Sequence, residues 1–419
     1  MKLFIFSHIL YAINEIMNNY IKRPFYSHRI IPFIDKQIIK VLTGQRRVGK
    51  SFVLYQLIDE IKKRSKKANI VYINRELEEF LFIRDNKDLN NYLKDKWIEG
   101  KSNYLFIDEV QEIENFQLSL RSYLAKNTWD IYCTGSNANM LSGELATTLA
   151  GRYVEFHIHA LSFQEFILFH KLEKNFEALM KYLQFGGMPY LSNIGLTDNL
   201  PYEYLRNVYS TILLKDVVIR ENIRNISFLE NLVSYLCDNV GSLFSASNIS
   251  KFLRSQRVDI SPQLTLNYLK ALTNAYFIYK VSRAEVGGLK IFEIGEKYYF
   301  EDLGLRNAIS GFHQRADLHK LLENAVYVNL IQEEFKVYVG KLGHKEIDFV
   351  ADKNGQKIYI QVALTIADPD TARREFENLL LVEDNYPKYL VTLNDPILGN
   401  DYKGIKQMNL LEFLNEPKA

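Results

Sequence analysis

The chain has 419 residues, enough for two or three domains that each bury a core. Its 52 basic and 50 acidic side chains nearly cancel, so no overall field advertises a nucleic acid or a membrane as partner. The two cysteines, Cys133 and Cys237, lie far apart without C-x-x-C spacing, which argues against a disulfide framework and a zinc site and suits a reducing, cytoplasmic setting.

In chain order, the stretch Leu3 to Ile13 is apolar behind Lys2 and faintly imitates a secretion signal. Ser7 and His8 interrupt it, no small-x-small cleavage site follows, and Met17 opens a more polar start, so residues 1–24 are expected to be an N-terminal extension, with Met17 as an alternative beginning. No stretch approaches the roughly 20 apolar residues of a membrane span, and no membrane partner is expected. The aromatic residues are spread along the chain without clustering beside basic ones, as a compositional bias would leave them.

Ile38 to Leu42 reads as a buried strand, and Phe52, Val53, Leu57, Ile58 and Ile61 recur at helical spacing. Between them, Gly44-Gln45-Arg46-Arg47-Val48-Gly49-Lys50-Ser51 fits the phosphate-binding pattern G-x-x-x-x-G-K-[ST]. Glycines let backbone N–H groups wrap a polyphosphate, Lys50 neutralises it, and the Ser51 hydroxyl holds Mg²⁺. ATP with Mg²⁺ is the implied ligand, contacted from Gly44 through Ser51 and by Phe52 at the helix start. The basic run Lys62 to Lys67 complements a helix C-terminus and reads as a solvated end.

Ile70 to Ile73 is a short strand, and Asp85 to Glu99 a polar helical stretch. Asn103 to Glu109 is then an apolar strand ending in two carboxylates. Downstream of a phosphate loop, Asp108 is expected to hold the metal and Glu109 to act as catalytic base, although an Asp-Glu pair also caps helices. A further strand, Asp130 to Cys133, leads into Thr134-Gly135-Ser136-Asn137, small polar side chains, Asn137 among them, that either read the γ-phosphate or orient water, or else form the turn and N-cap of the next helix. Arg152, just before the strand Tyr153 to Ile158, has two readings: a surface arginine at a strand entry, or a charge offered to the transferring phosphoryl group, in cis or from a neighbouring subunit. Strands alternating with helices, with polar residues gathered at strand C-termini, describe an open α/β sheet with its site at that edge.

Thr43 to Ser51, Phe106-Ile107-Asp108-Glu109-Val110-Gln111 and Thr134-Gly135-Ser136-Asn137 resemble the predicted AAA-type ATPases of bacteria and archaea that carry a C-terminal domain of unknown function. Leu149-Ala150-Gly151-Arg152, Ser162-Phe163-Gln164-Glu165-Phe166, Phe185-Gly186-Gly187-Met188-Pro189 and Lys297 to Gly304 carry the resemblance to the end of the chain. It implies an additional-strand P-loop ATPase domain over 25–170, a helical lid region over 171–240, a winged-helix-like segment over 241–296 and a nuclease-like C-terminal domain over 297–419. A slow Mg²⁺-dependent ATPase that moves its C-terminal domains is the expected function. The alternatives are a nucleotide-dependent switch that recruits protein or DNA and, less favoured, an ATP-governed nuclease; homo-oligomers are also open.

In the winged-helix segment, Ser247 caps a helix ending near Leu253, Ser261-Pro262 starts a second, and Phe277 to Val281 with Lys290 to Ile294 is expected as a hairpin wing. Gln263, Asn267 and Lys270, with Arg254 and Arg257 before them, are the residues a DNA groove would meet; a rigid spacer or protein contact is the competing reading. In the last segment Glu346-Ile347-Asp348 and Gln361-Val362-Ala363 look like the D…(E/Q)xK arrangement of restriction-type nucleases, with Glu323 at an additional acidic position. Ala363 stands where the lysine belongs and Gln361 replaces an acid, so an inactive shell is expected.

Overall fold

The computed structural model describes residues 20–142, 148–197, 199–255, 260–287, 291, 295–395 and 402–418. The chain divides into two compact units on either side of the Ile158–His159 bond. Each is built from its own sheet.

In the first unit, short apolar runs bounded by polar turns give five strands: β1 (Ile39–Thr43), β2 (Asn69–Asn74), β3 (Asn103–Asp108), β4 (Asp130–Gly135) and β5 (Tyr153–His157). They form one parallel sheet in the order β2-β3-β4-β1-β5, so β4 separates the loop strand β1 from the acid-bearing β3. Helices α1 (Pro24–Ile30), α2 (Lys50–Arg64), α3 (Asn86–Lys94) and α4 (Phe116–Ala125) belong to the same unit. All residues of β1 and β3 are buried, as expected of strands covered on both faces. One is a surprise. Lys40 interrupts the apolar run of β1, yet it is fully buried; its ammonium pairs with Asp130 on β4 and donates to the Lys36 carbonyl at 2.9 Å. Burial lowers the Lys40 pKa, and the Asp130 carboxylate opposes that.

The second unit begins with helices. Ser162 and Glu165 close a reciprocal capping box at the start of α5 (Phe163–His170), and α6 (Phe176–Phe185) ends on Gly186 at φ +71°. Helix α7 (Leu200–Thr211) runs into a π-helical stretch, Ile212–Ile219, followed by α8 (Ile226–Asp238), α9 (Ala246–Ser255) and α10 (Pro262–Asn274). The Ser261 hydroxyl accepts the Leu264 N–H and caps α10, as Ser-Pro at a helix start favours.

After α10, β6 (Ile278–Val281) pairs antiparallel with a strand later than expected, β8 (Lys297–Phe300), while β7 (Arg283–Glu285) lies between them in sequence. Of the expected return strand Lys290 to Ile294, Ile291 forms an antiparallel bridge to Ala284; residues 290 and 292–294 lie outside the described ones. Helices α11 (Leu303–Ser310) and α12 (Gln314–Gln332) precede β9 (Lys336–Leu342), β10 (Lys345–Lys353) and β11 (Gln356–Ala363), an antiparallel meander. Helix α13 (Pro369–Leu380) then crosses to β12 (Lys388–Thr392) and β13 (Ile405–Asn409), which continue the sheet in parallel. The order is β13-β12-β11-β10-β9-β7. Among the described residues no helix is long and apolar enough to cross a membrane.

Candidate functional site at the carboxyl edge of the parallel sheet

β1 ends at Thr43, and the chain turns at once into a loop that only particular backbone conformations allow. Gly44 has φ +139°, and a Cβ there would lie 2.1 Å from the Ile158 carbonyl oxygen, so this position requires glycine. Arg47 (φ +71°) and Gly49 (φ +96°) are also left-handed, and α2 starts at Lys50. A helix N-terminus preceded by such a loop directs backbone N–H groups and the positive end of the helix dipole at one point, the physical basis of phosphate binding.

The Lys50 side chain, 5% exposed, donates to the carbonyls of Gly44 and Gln45 at 3.0 Å each and lies 3.8 Å from Glu109 Oε1. β3 therefore delivers its acids to the lysine across the intervening β4. Asp108 is enclosed by three hydroxyls: Tyr72 donates at 3.0 Å, Thr134 donates to the other oxygen, and Ser51 also bonds the carboxylate. Burial, with the adjoining Glu109 charge, pushes the Asp108 carboxyl above its ordinary range against those hydrogen bonds. Glu109 behaves oppositely. Burial alone would raise it, but Lys50 and Arg46 outweigh that and hold it below the usual carboxylate range, ionised at neutral pH. Its backbone is left-handed (φ +57°), an unusual conformation for glutamate. Gln111 and Ser136 (3.1 Å) donate to its Oε2.

Asn137 follows β4 at the same edge. It is 2% exposed; its Oδ1 accepts the Asn139 N–H at 2.7 Å, while its Nδ2 has no acceptor. Gln45 and Val48 are fully buried, Arg46 pairs with Glu76 at 3.1 Å, Arg47 is exposed, and the exposed Phe52 ring stands edge-on to Tyr55. The structure thus gathers the loop, Lys50, Ser51, Asp108, Glu109 and Asn137 at one edge. Arg152 is not among them. It is exposed, its carbonyl accepts the Ile39 N–H, and it precedes β5, whose Tyr153 pairs with Ile39 at the start of β1. Four residues of strand, about 13 Å, separate that end from Thr43.

Several roles were not anticipated from the sequence. Thr134 accepts the Glu109 N–H at 2.8 Å while donating to Asp108, so one hydroxyl sets both acids. Arg23, buried over the Tyr26 ring, donates to the Val48 carbonyl at 2.9 Å and steadies the loop from the segment read as an extension. A bare arginine in a polar stretch carries no signal of this.

In the second unit, Glu323, Glu346 and Asp348, the acids that the nuclease resemblance singled out, all face the Lys297 ammonium. Gln361 lies between Asp348 and Glu375: its Oε1 accepts the Asp348 N–H at 3.4 Å and its Nε2 donates to Glu375 at 2.9 Å. The missed member is Lys297, whose Nζ lies within salt-bridge distance of all three acids.

Residues 36–167 match the family model described as an AAA domain, and 176–316 match a domain of unknown function (DUF8612). An uncharacterized protein of Haemophilus influenzae is 36% identical over 378 residues, covering 89% of this chain and 93% of that protein. Uncharacterized protein MJ1544 of Methanocaldococcus jannaschii is 29% identical over 380 residues, covering 85% and 82% respectively. Among solved structures, the Aeropyrum pernix ORC1 protein in complex with DNA aligns at 10% identity and a TM-score of 0.34, covering 70% of this chain and 93% of that one.

Proposed function

We propose that the chain, which belongs to one family with the Haemophilus influenzae relative and whose residues 36–167 match the AAA-domain model, binds Mg²⁺-ATP at the Gly44–Ser51 loop and hydrolyses it slowly. The observation that carries this is the Lys50–Glu109–Asp108–Ser51 constellation, in which a loop lysine, an ionised glutamate and a hydroxyl-ringed aspartate converge. The residues fit the group: the loop offers N–H donors, Ser51 and Asp108 offer hard oxygen ligands, and Asn137 Nδ2 is a donor awaiting an acceptor. Bound Mg²⁺, held by Ser51 and Asp108, would neutralise charge on the phosphates. Lys50 leaves its loop carbonyls for the phosphate oxygens, Asn137 donates toward the γ-phosphate, and Glu109 accepts the proton of the attacking water.

Lys50→Ala is expected to abolish nucleotide binding, whereas Glu109→Gln retains it and loses phosphate release. If both variants hydrolysed like the parent, these roles would be wrong. Arg152 contributes to this site only from a second copy of the chain, since its own strand carries it to the other edge.

A second reading has its own support. Glu109 already receives Gln111 and Ser136 and faces Lys50, a tethering that favours a nucleotide-loaded switch with little turnover. Steady-state phosphate release equal in the parent and Glu109→Gln would favour the switch. Nucleotide state then repositions the lid and C-terminal domains, to be read as a changed limited-proteolysis pattern with and without nucleotide. Helices α9 and α10 followed by the β6–β8 pair suit a winged helix, with Gln263, Asn267 and Lys270 exposed on α10. Arg254 is exposed on α9; Arg257 lies outside the described residues. A duplex-DNA mobility shift that added salt removes would support that role. The mixed C-terminal sheet suits a restriction-nuclease-like shell without a catalytic lysine at Ala363.

A further inference from the structure

The C-terminal half holds a polar cluster that the nucleotide chemistry does not use. Lys297 and Tyr299 are two residues apart on β8 and share a face; Glu346 and Asp348 share one on β10; Glu323 comes from α12. The Lys297 Nζ lies 2.9 Å from Glu346 Oε1, 3.0 Å from Glu323 Oε1 and 3.6 Å from Asp348 Oδ1, and its side chain is 4% exposed. Tyr299 donates to Glu323 at 2.6 Å, and the Val362 N–H donates to Asp348 Oδ2 at 2.8 Å. Gly241 (φ +73°) closes the backbone over the cluster, since a Cβ there would come within 2.6 Å of Glu323 Oε2.

We propose that the Lys297 ammonium is the resident cation of this site, filling the seat that a divalent metal would take between Glu323, Glu346 and Asp348. Two carboxylates from β10 and one from α12 each turn an oxygen to the Lys297 ammonium, and oxygens of this kind are what a hard divalent cation binds, at roughly 2.0–2.6 Å. An ammonium has three N–H donors and reaches the same oxygens at hydrogen-bond range. A structural ion pair needs one acid; gathering three costs mutual repulsion and desolvation that a single positive charge does not offset. Arg283, 3.7 Å from Glu346 Oε2, adds charge at the rim. Lys297 thereby closes the C-terminal half to metal-dependent chemistry, independently of the missing lysine at Ala363 and of whether the first unit hydrolyses ATP.

The test uses the full chain, free of nucleotide, titrated with Mn²⁺ and followed by the paramagnetic signal of the free ion. The parent and Asp348→Asn should bind Mn²⁺ alike, with no site lost in the variant. Lys297→Met, which keeps the stem and removes the charge, should bind one further Mn²⁺ roughly tenfold or more tighter than the parent, and Lys297→Met/Asp348→Asn should lose it. The thermal midpoint of Lys297→Met alone should fall in chelator and recover with Mn²⁺, a response absent in the parent. A Mn²⁺ site in the parent that disappears in Asp348→Asn overturns the proposal. Mg²⁺-dependent DNA cleavage by the parent that disappears in that variant also overturns it. Both readouts stand even if Lys297→Met does not fold.

Discussion

Asn137 illustrates what single side chains add to the reading. A buried amide N–H without an acceptor costs about 1–3 kcal/mol, and here the Asn139 N–H engages Oδ1 and leaves Nδ2 without a partner. Under the proposed function a γ-phosphate oxygen, which ADP lacks, satisfies it. Asn137→Ala should therefore lower the ratio of ATP to ADP affinity by roughly tenfold or more, measured by calorimetry. An unchanged ratio would return Asn137 to the role of a turn residue. Lys50, Ser51, Asp108 and Glu109 were legible in the sequence because phosphate chemistry restricts both residue type and spacing. Tyr72 and Arg23 were not, and Thr134 was read only as one of the small polar groups at that edge, because a hydroxyl or guanidinium that steadies another group has no spacing rule.

At the level of elements, the strands were legible as apolar runs, but their neighbours were not. The position of Arg152 follows from the parallel register alone: a residue preceding a parallel strand stands at its amino end, away from a loop that follows its neighbour. At high dilution Arg152→Ala should turn over like the parent, any difference emerging only as concentration brings copies together. A loss independent of concentration would contradict the placement.

Two motifs that were only landmarks in the sequence meet at Asp302. It accepts the N–H groups of Gly187 (2.6 Å) and Leu305 (2.8 Å), joining the Gly186-Gly187 turn to the start of α11. Burial pushes its carboxyl up to about 7 despite those donors. Unfolded, it would titrate near 4, so between about 4 and 7 only the folded protein holds the proton. This group's contribution to stability therefore falls as pH rises through that window, on the order of 1 kcal/mol per pH unit, and is flat above it. Asp302→Asn lacks this dependence, so denaturation should show the stability gap between parent and variant narrowing from pH 5 to pH 8. A gap that stayed constant or widened would rule out burial as the cause.

Across the whole molecule, the alternation of strands and helices in the first unit made its open α/β sheet predictable. Harder to see was the C-terminal sheet, where an antiparallel meander changes to parallel pairing at β11 and β7 joins from far upstream. Lys297 was hidden for the same reason. It lies 51 positions before Asp348 in the numbering, on a strand of a separate two-stranded pairing, and no spacing rule links them. The central claim, that the loop between β1 and α2 grips a triphosphate, is tested most directly by calorimetric titration of Mg²⁺-ATP into the nucleotide-free full chain and into Lys50→Ala. One site per chain, lost in the variant, is the expected result; no binding by the parent, or equal binding by both, would contradict it.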